Sequence, residues 1–483
     1  MNIGEASWLR LDRSPRETLR AAVERILREA ILGGVLRPGV RLPSSRALAA
    51  ELGVSRGVTT EAYSQLEAQG FLVSRTKATP VVARIARPRR SAEPLEPALK
   101  APRYDLVSTT PDVKLFPIRQ WTSALLEVAR TAPSAAFDYG DPRGERELRE
   151  MLADHLGRTR GIVTDPARIL VVQGAAQGID LLARVLAVRG ARRIAVEDPS
   201  LDSQPQRIRA HGLKVVGQRT DAEGLVVDGL RADAVLVTPA HQFPTGAVLS
   251  GGRRRALLEW ANQRRALVIE DDYDAEFRYD RRPVRALQGL DPERVAYLGT
   301  TSKSLAPALR LGWLAVPAEL AGEAVRIKHL LDVCSPPIDQ MALARFIRRG
   351  DYDRHVRRAR AIYHRRRDRL LAALNAKLPG LAVQGVAAGM HVLLRLPPGV
   401  DDRAVACEAE RDGVRIIPLS TYRLQPTASD RGGLVIGYGR VHEDEVERAV
   451  IALARALRRA GTITARPPPA PAPDDDWTRS GPE

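Results

Sequence analysis

A chain of 483 residues is too long for one ordinary hydrophobic core, so two or three domains are expected. Its 75 Lys and Arg outnumber its 58 Asp and Glu, and the formal charge of +17 suits a polyanionic partner. The sequence has no apolar run of about eighteen residues and no N-terminal signal pattern, which argues against a membrane partner and predicts a soluble, cytoplasmic protein. Cys334 and Cys407 lie far apart among apolar residues and are expected as reduced core thiols, as a cytoplasmic location requires.

The basic excess is concentrated at the start, where residues 1–90 hold 16 Arg and Lys against 8 Asp and Glu. From Glu17 to Leu36, Leu19, Ala22, Val23, Ile26, Leu27, Ala30 and Ile31 recur every three or four residues, which predicts an amphipathic helix stopping at Gly33-Gly34. Ser44 caps a short second helix that ends at Gly53, and Ser55 caps a third from Arg56 to Gln69. Two short helices split by Gly-Val-Ser make a helix-turn-helix whose later member is the recognition helix. Phe71–Ser74 and Pro80–Ala83 are apolar enough to be the strands of a wing, with Arg75 and Lys77 at its tip. Ser44, Ser45 and Ser55, at helix N-termini, suit phosphate oxygens, and Arg46 and Arg56 reach a phosphate or a guanine edge. The alternative is that these serines only cap and these arginines are solvated.

Residues 84–104 are rich in proline and charge without hydrophobic period, so they read as an extended linker able to span roughly 60 Å. From 105 to 465, short apolar runs at Ile169, Arg193, Lys214, Ala234, Ala266, Val295 and Leu311 alternate with helical patterns. That alternation predicts an α/β body with a mostly parallel central sheet. Residues 466–483 read as a disordered tail.

The body has few lysines to choose from, since only seven of the 75 basic residues are lysine. Lys303 stands apart, in a small-hydroxyl turn after the apolar run Val295–Leu298. An amine that condenses with an aldehyde must sit at a rigid strand end, partly desolvated, to be neutral often enough to attack. Thr300 and Ser302 before it, and Arg310 after it, can hold a phosphate dianion beside that aldehyde. Strand-end motifs elsewhere converge on the same edge of the sheet. Gln173-Gly-Ala-Ala-Gln-Gly178 opens a helix, Thr238-Pro-Ala-His241-Gln-Phe-Pro-Thr-Gly246 follows another strand, and Glu270-Asp271-Asp-Tyr273 a third. The acidic stretch lacks the histidines and spaced glycine of a metal site, so no metal is expected there.

Ser302-Lys303-Ser-Leu-Ala-Pro-Ala-Leu-Arg310-Leu-Gly-Trp313 resembles the cofactor-lysine motif of fold-type I aminotransferases, in the version found in MocR/GabR-type transcriptional regulators. Leu42-Pro-Ser-Ser-Arg46, Val54-Ser-Arg56, Ala62-Tyr-Ser-Gln-Leu66 and Gly70-Phe-Leu72 resemble the GntR winged-helix signature. The resemblance covers nearly the whole chain. It implies a winged helix-turn-helix over 1–83, an aminotransferase-like body over 105–465, and pyridoxal 5'-phosphate as cofactor. Lys303 is then the catalytic lysine, Ala175 and Ala176 meet the phosphate through their amides, and Asp271 faces the ring nitrogen. Tyr273 bonds the ring hydroxyl, His241 belongs to the cofactor loop, and Tyr139 reaches the phosphate of a partner's cofactor across a homodimer.

This sequence departs from the pattern at several positions. Gly57 replaces a polar residue, the wing lacks its glycine tip, and the phosphate turn lacks its hydroxyl. Phe243 stands where catalytic enzymes carry asparagine, and Val435 where they carry the arginine that holds a substrate carboxylate, with Arg431 nearby as a substitute. The charge run Arg354–Arg360, continued by Arg365–Arg367, is either a solvated face or a second DNA-facing surface. The expected function is a regulator that binds double-stranded operator DNA and senses pyridoxal 5'-phosphate or an amino compound. An active aminotransferase with a residual head, and a body that has lost its cofactor, are the alternatives.

Overall fold

The apolar period near the start becomes helix α1 (Leu19–Leu32), capped by the Thr18 hydroxyl, which accepts from the amide of Ala21 at 3.2 Å. All of Ala22, Val23, Ile26, Leu27, Ala30 and Ile31 are buried. The computed structural model describes residues 11–12, 17–74, 79–84, 102–108, 110–274, 276–279, 284–385, 388–425 and 431–461. The expectations for Lys77, for linker residues 85–101 and for the tail therefore lie outside the described residues. The chain divides into two compact units, residues 1–100 and 101–483.

In the first unit α2 (Ser45–Leu52) starts where the Ser44 hydroxyl accepts from the Ala47 amide at 3.2 Å and ends on left-handed Gly53. Helix α3 (Arg56–Ala68) is tied to the start of α2 by two buried hydroxyls. Thr59 donates to the Ser45 carbonyl at 2.8 Å and Tyr63 to the Pro43 carbonyl at 3.0 Å. Strands β1 (Leu72–Val73) and β2 (Val81–Val82) pair antiparallel, so the wing is present but shorter than its apolar runs suggest.

The second unit opens with β3 (Tyr104–Asp105), one residue inside the expected linker, followed by α4 (Ile118–Thr131) and α5 (Arg146–Arg160). Then come β4 (Ile169–Val172), α6 (Ala175–Val188), β5 (Arg193–Asp198), α7 (Ser203–Arg209), β6 (Lys214–Asp221), β7 (Gly224–Leu225) and β8 (Ala234–Val237). Helix α8 (Gly251–Arg264) leads to β9 (Leu267–Asp272), β10 (Val295–Thr300) and β11 (Gly312–Ala315). These strands form one sheet in the order β4-β11-β10-β9-β8-β5-β6-β7. The run β10-β9-β8-β5-β6 is parallel, and β11 is antiparallel to both of its neighbours. Helices cover both faces, which is why the strands read as continuous apolar runs. Leu170, Val172, Leu298 and Leu314 pack toward α6 and α9 (Ala318–Asp332). Ile169, Val171, Tyr297 and Trp313 pack toward α4, α5 and α10 (Pro337–Arg348).

The long helix α11 (Asp351–Lys377) carries the chain to a smaller layer. There β12 (Val383–Gln384), β13 (His391–Arg395), α12 (Asp402–Arg411), β14 (Val414–Arg415), β15 (Ile417–Pro418), β16 (Gly433–Gly437) and α13 (Val446–Arg459) follow in order. Strands β12-β13-β16-β15 are antiparallel and bury Val392, Leu394 and Ile436 against Leu370, Val450 and Leu453. On α11, Arg354, Arg357, Arg358 and Arg360 are exposed, whereas Arg366 is buried and pairs with Asp112 at 2.7 Å. The expectation of two core thiols is corrected: Cys334 is half-buried and Cys407 is exposed. On α12 the core takes Val405 and Ala409, one helical turn apart, and Cys407 between them points the other way. No described helix is long and apolar enough to cross a membrane.

Gly299 on β10 lies under the Trp313 ring, and a Cβ there would fall 2.3 Å from the indole nitrogen. Gly299→Ala is expected to destabilise the body by about 1–3 kcal/mol through overpacking. A lower urea midpoint at an unchanged slope is the measurement that shows it.

Candidate functional site

Strand β10 ends at Thr300, and the turn that follows is pinned to the next strand. The Thr301 amide donates to the Leu311 carbonyl at 3.0 Å, and the hydroxyls of Thr301 and Thr300 donate to the same oxygen at 3.1 and 3.3 Å. Ser302 bonds to the Thr300 hydroxyl through its amide at 3.1 Å and its hydroxyl at 2.9 Å. Beyond the lysine, the Ser304 hydroxyl accepts from Tyr352 at 2.9 Å, and the Ser304 carbonyl lies 2.8 Å from Nε2 of His355. Lys303 is thus fixed from both sides. Burial holds its amine below the ordinary lysine value, opposed by Asp274 and Asp271, which favour the ammonium.

Lys303 opens onto a cavity of about 240 Å3, with Ala175, Ala176, Asp271, Tyr273, Thr300, Ser302 and Arg310 in its wall. The sequence analysis singled out all of these. At one end α6 begins after Gly174, in the left-handed region at φ +76. A Cβ at Gly174 would fall 3.0 Å from the Arg310 guanidinium, so only glycine lets that group lie across the helix start. Arg310 is itself left-handed at φ +52, rare for a side-chain-bearing residue, and bonds the Gln173 carbonyl. Helix-start amides, a guanidinium and two hydroxyls together form a cradle for a phosphate.

Deeper in the cavity, Asp271 of β9 pairs in register with Leu298 of β10. Its Oδ2 accepts from Gln204 at 2.9 Å, while its Oδ1 is buried without a hydrogen-bond partner. Burial pushes the carboxyl up to about 7, with Asp272 adding to the rise and Lys303 opposing it. A buried carboxylate oxygen without a partner costs free energy unless a donor arrives, and a protonated ring nitrogen is such a donor. The residues present therefore fit pyridoxal 5'-phosphate: a cradle for its phosphate, an acceptor for its ring nitrogen and an amine for its aldehyde.

Three of the expected residues fall outside the wall. His241 is buried next to Tyr273, with the tyrosine hydroxyl 3.0 Å from Nδ1, but does not line the cavity. Tyr139 is 82% exposed. Arg431 is exposed two residues before β16, and Val435 is buried among Phe243, Leu393, Leu419 and Tyr422. Sequence reasoning missed Gln204, Glu197, Ser200 and Leu201, which line the cavity from β5, α7 and the turn between them. They are single residues from a stretch without a motif, and only the fold brings them in. A larger hollow of about 960 Å3 beside α5 and α11 shares none of these residues.

In the head, Ser44 caps α2, whereas the exposed Ser55 makes no side-chain cap bond to α3. Arg46 and Arg56 are exposed in the first turns of the two helices, and Ser45 is half-buried.

Fold and cavity define an aminotransferase-like body joined to a winged helix-turn-helix. Residues 108–453 match the model of aminotransferase class I and II, and residues 19–82 that of the bacterial regulatory proteins of the gntR family. The uncharacterised HTH-type transcriptional regulator YhdI of Bacillus subtilis is 33% identical over 91% of this chain and 96% of its own length. The HTH-type pyridoxine biosynthesis transcriptional regulator PdxR of Corynebacterium glutamicum is 33% identical over 88% and 93%. The crystal structure of an archaeal alanine:glyoxylate aminotransferase superposes with a TM-score of 0.69, covering 74% of this chain and 91% of that one at 28% identity. The chain belongs to the MocR-type HTH transcriptional regulators, which carry a gntR head on an aminotransferase class I and II body.

In the coenzyme-free protein Asp271 is protonated up to about pH 7 when folded but only to about pH 4 when unfolded. The folded state binds the extra proton between these values, so the contribution of this group to stability is lost as pH rises through that window. Asp271→Asn removes the effect. Relative to that variant, the wild-type chain is expected to lose more than about 1 kcal/mol between pH 4.5 and 7.5. Parallel urea midpoints across that range would contradict it.

Proposed function

We propose that this chain is a transcriptional regulator whose head binds operator DNA and whose body binds pyridoxal 5'-phosphate, sensing the coenzyme or an amino compound that exchanges onto it. The observation that carries the reading is the convergence, around one cavity, of a desolvated lysine, an unpartnered buried carboxylate oxygen and a phosphate cradle. The pyridoxine biosynthesis role in the name of the PdxR relative supports the same coenzyme.

When bound, the coenzyme supplies an aldehyde and an electron-withdrawing ring. Lys303 presents its amine to that aldehyde. Asp271 keeps a proton on the ring nitrogen, and Tyr273 bonds the ring hydroxyl. The amides of Ala175 and Ala176, with Arg310, Thr300 and Ser302, hold the phosphate. Phe243 lines the cavity and Val435 is buried in the apolar cluster with it, so neither offers an amino acid carboxylate a charge, which favours sensing over transamination. Arg431, exposed two residues before β16, is not in the cavity wall to supply that charge. A second copy of the chain would cover Tyr139 and the exposed Phe137, Ile118 and Leu126, bringing Tyr139 to the partner's cavity. Ligand capture then shifts the balance between two arrangements of that dimer, and so the spacing of the heads.

In the head, Ser44, Ser45 and Ser55 with the amides of α2 and α3 meet phosphates, and Arg46 and Arg56 reach the duplex. Two measurements test the halves separately. Purified protein given pyridoxal 5'-phosphate should develop a visible absorption band that Lys303→Ala abolishes, and a colourless wild type would refute the sensing half. The DNA upstream of its own gene should be retarded in a gel, with affinity falling steeply as salt rises. Arg56→Ala is expected to weaken that binding about tenfold, and no retardation even at low salt would refute the regulator.

A further inference from the structure

Lys328 on α9 is fully buried yet lies outside the cavity wall, and the proposed coenzyme chemistry gives it no task. The three hydrogens of its ammonium have three acceptors: Asp332 Oδ1 and Oδ2, each at 3.0 Å, and Ser335 Oγ at 2.9 Å. Asp332 Oδ2 also accepts from the Gln177 side-chain amide at 2.9 Å. The other end of that amide, Gln177 Oε1, accepts from the backbone N–H of Gln173 at 2.7 Å, so a first-turn side chain of α6 reaches back to the residue before the helix cap. The Gln173 carbonyl in turn bonds Arg310. A continuous chain of hydrogen bonds therefore runs from a buried ammonium to the start of the phosphate cradle.

We propose that Lys328 and Asp332 are positioning residues that set the phosphate cradle through Gln177, so that part of the affinity for the coenzyme's phosphate comes from groups that never touch it. The proposal rests on the coenzyme reading above. The turn has to be held from outside because it has few side chains of its own to use. Ala175 and Ala176 present only backbone amides, and Gly174, at φ +76, is the residue type with the freest backbone. Holding Gln173 by both its N–H and its carbonyl removes that freedom, and the rigid peptides that follow keep one direction. Donors already in place bind an anion without the ordering cost that a loose turn would incur.

The anchor is itself held on several sides. The carbonyls of Ser335 and Pro336 both accept from Gln340 Nε2 at 3.0 Å, and Gln340 Oε1 accepts from the Glu145 amide at 2.8 Å. The segment after α9 is thereby tied to α10 and to the start of α5. Val333, next to Asp332, sits at φ +58, a conformation rare for a β-branched residue and kept only where the surroundings impose it. Docking of α9 does not require the ion pair, since Leu320, Ala324 and Ile327 already join the apolar cluster shared with α6. A buried ion pair often adds little stability over apolar side chains of the same volume. What this one supplies is a fixed acceptor for Gln177.

The test uses the full-length protein and follows the visible band as pyridoxal 5'-phosphate or pyridoxal is titrated in. Both aldehydes can condense with Lys303, but only the first occupies the cradle. Gln177→Leu is expected to weaken pyridoxal 5'-phosphate binding about fivefold, the effect of about one hydrogen bond, and to leave pyridoxal binding within about twofold. Inorganic phosphate, competing for the cradle, should weaken by the same factor as the coenzyme. Lys328→Met should show the same split between the aldehydes, and in a Gln177→Leu background it should cost no further affinity, since its effect passes through that amide. Lys328→Met also strands Asp332, so if that variant fails to fold, Gln177→Leu alone decides. Unchanged coenzyme affinity in Gln177→Leu, an equal loss for both aldehydes, or additive losses in the double variant overturns the proposal. A wild type that colours with neither aldehyde overturns the coenzyme reading and this inference with it, whereas a normal wild-type band with any of those three results overturns this inference alone.

Discussion

An amine held out of water beside two carboxylates is the constraint on which the body depends. Lys303 has to be fixed, because a flexible lysine would reach solvent and remain an ammonium. The turn that carries it is sewn to the Leu311 carbonyl by two threonines and to α11 through Ser304, so the strand and the long helix share responsibility for one side chain. The reversed direction of β11 follows from the same need. By running back beside β10, it brings the Leu311 carbonyl within reach of the threonines and leaves Arg310 at the start of α6.

Much of this could be read from the chain before any coordinates. The Lys303 stretch combines a scarce residue type with hydroxyls and an arginine at fixed spacing, and such local patterns survive folding unchanged. The same holds for the head, where serines and glycines punctuate the helices at Ser44 and Gly53. What stayed illegible depends on contacts between distant segments. Gln204 reaches Asp271 from 67 residues away, and nothing about a glutamine in α7 announces that bond. Cys407 shows the opposite failure: apolar neighbours in sequence suggested a core thiol, but helical periodicity turns the side chain outward. His241 was assigned to the cofactor with its loop, and the structure places it one side chain further back.

The two units divide the physics between them. The head is a small hydrophobic cluster with cationic first turns, suited to contacts that are strong, numerous and weakly selective for small molecules. The body is a deep sheet whose buried polar groups are individually placed. The gntR-type head and the aminotransferase-like body therefore keep a cationic helix surface and a small buried cavity in separate units. The 33% identity to YhdI runs across both units, so the pairing is a property of the family and not of this chain alone.

The alternation of β9 has an evolutionary corollary. Asp271 and Asp272 are neighbours in sequence, yet Asp272 is held by Arg160 at 2.7 Å and Tyr297 at 2.8 Å while Asp271 turns to the cavity. The doubled acid is no reserve copy. A deletion of a single codon upstream within that strand would carry Asp272 to the cavity position and Tyr273 into its place, stranding Arg160 without its counterion. Selection on this stretch should accordingly tolerate some changes of letter more readily than any change of length.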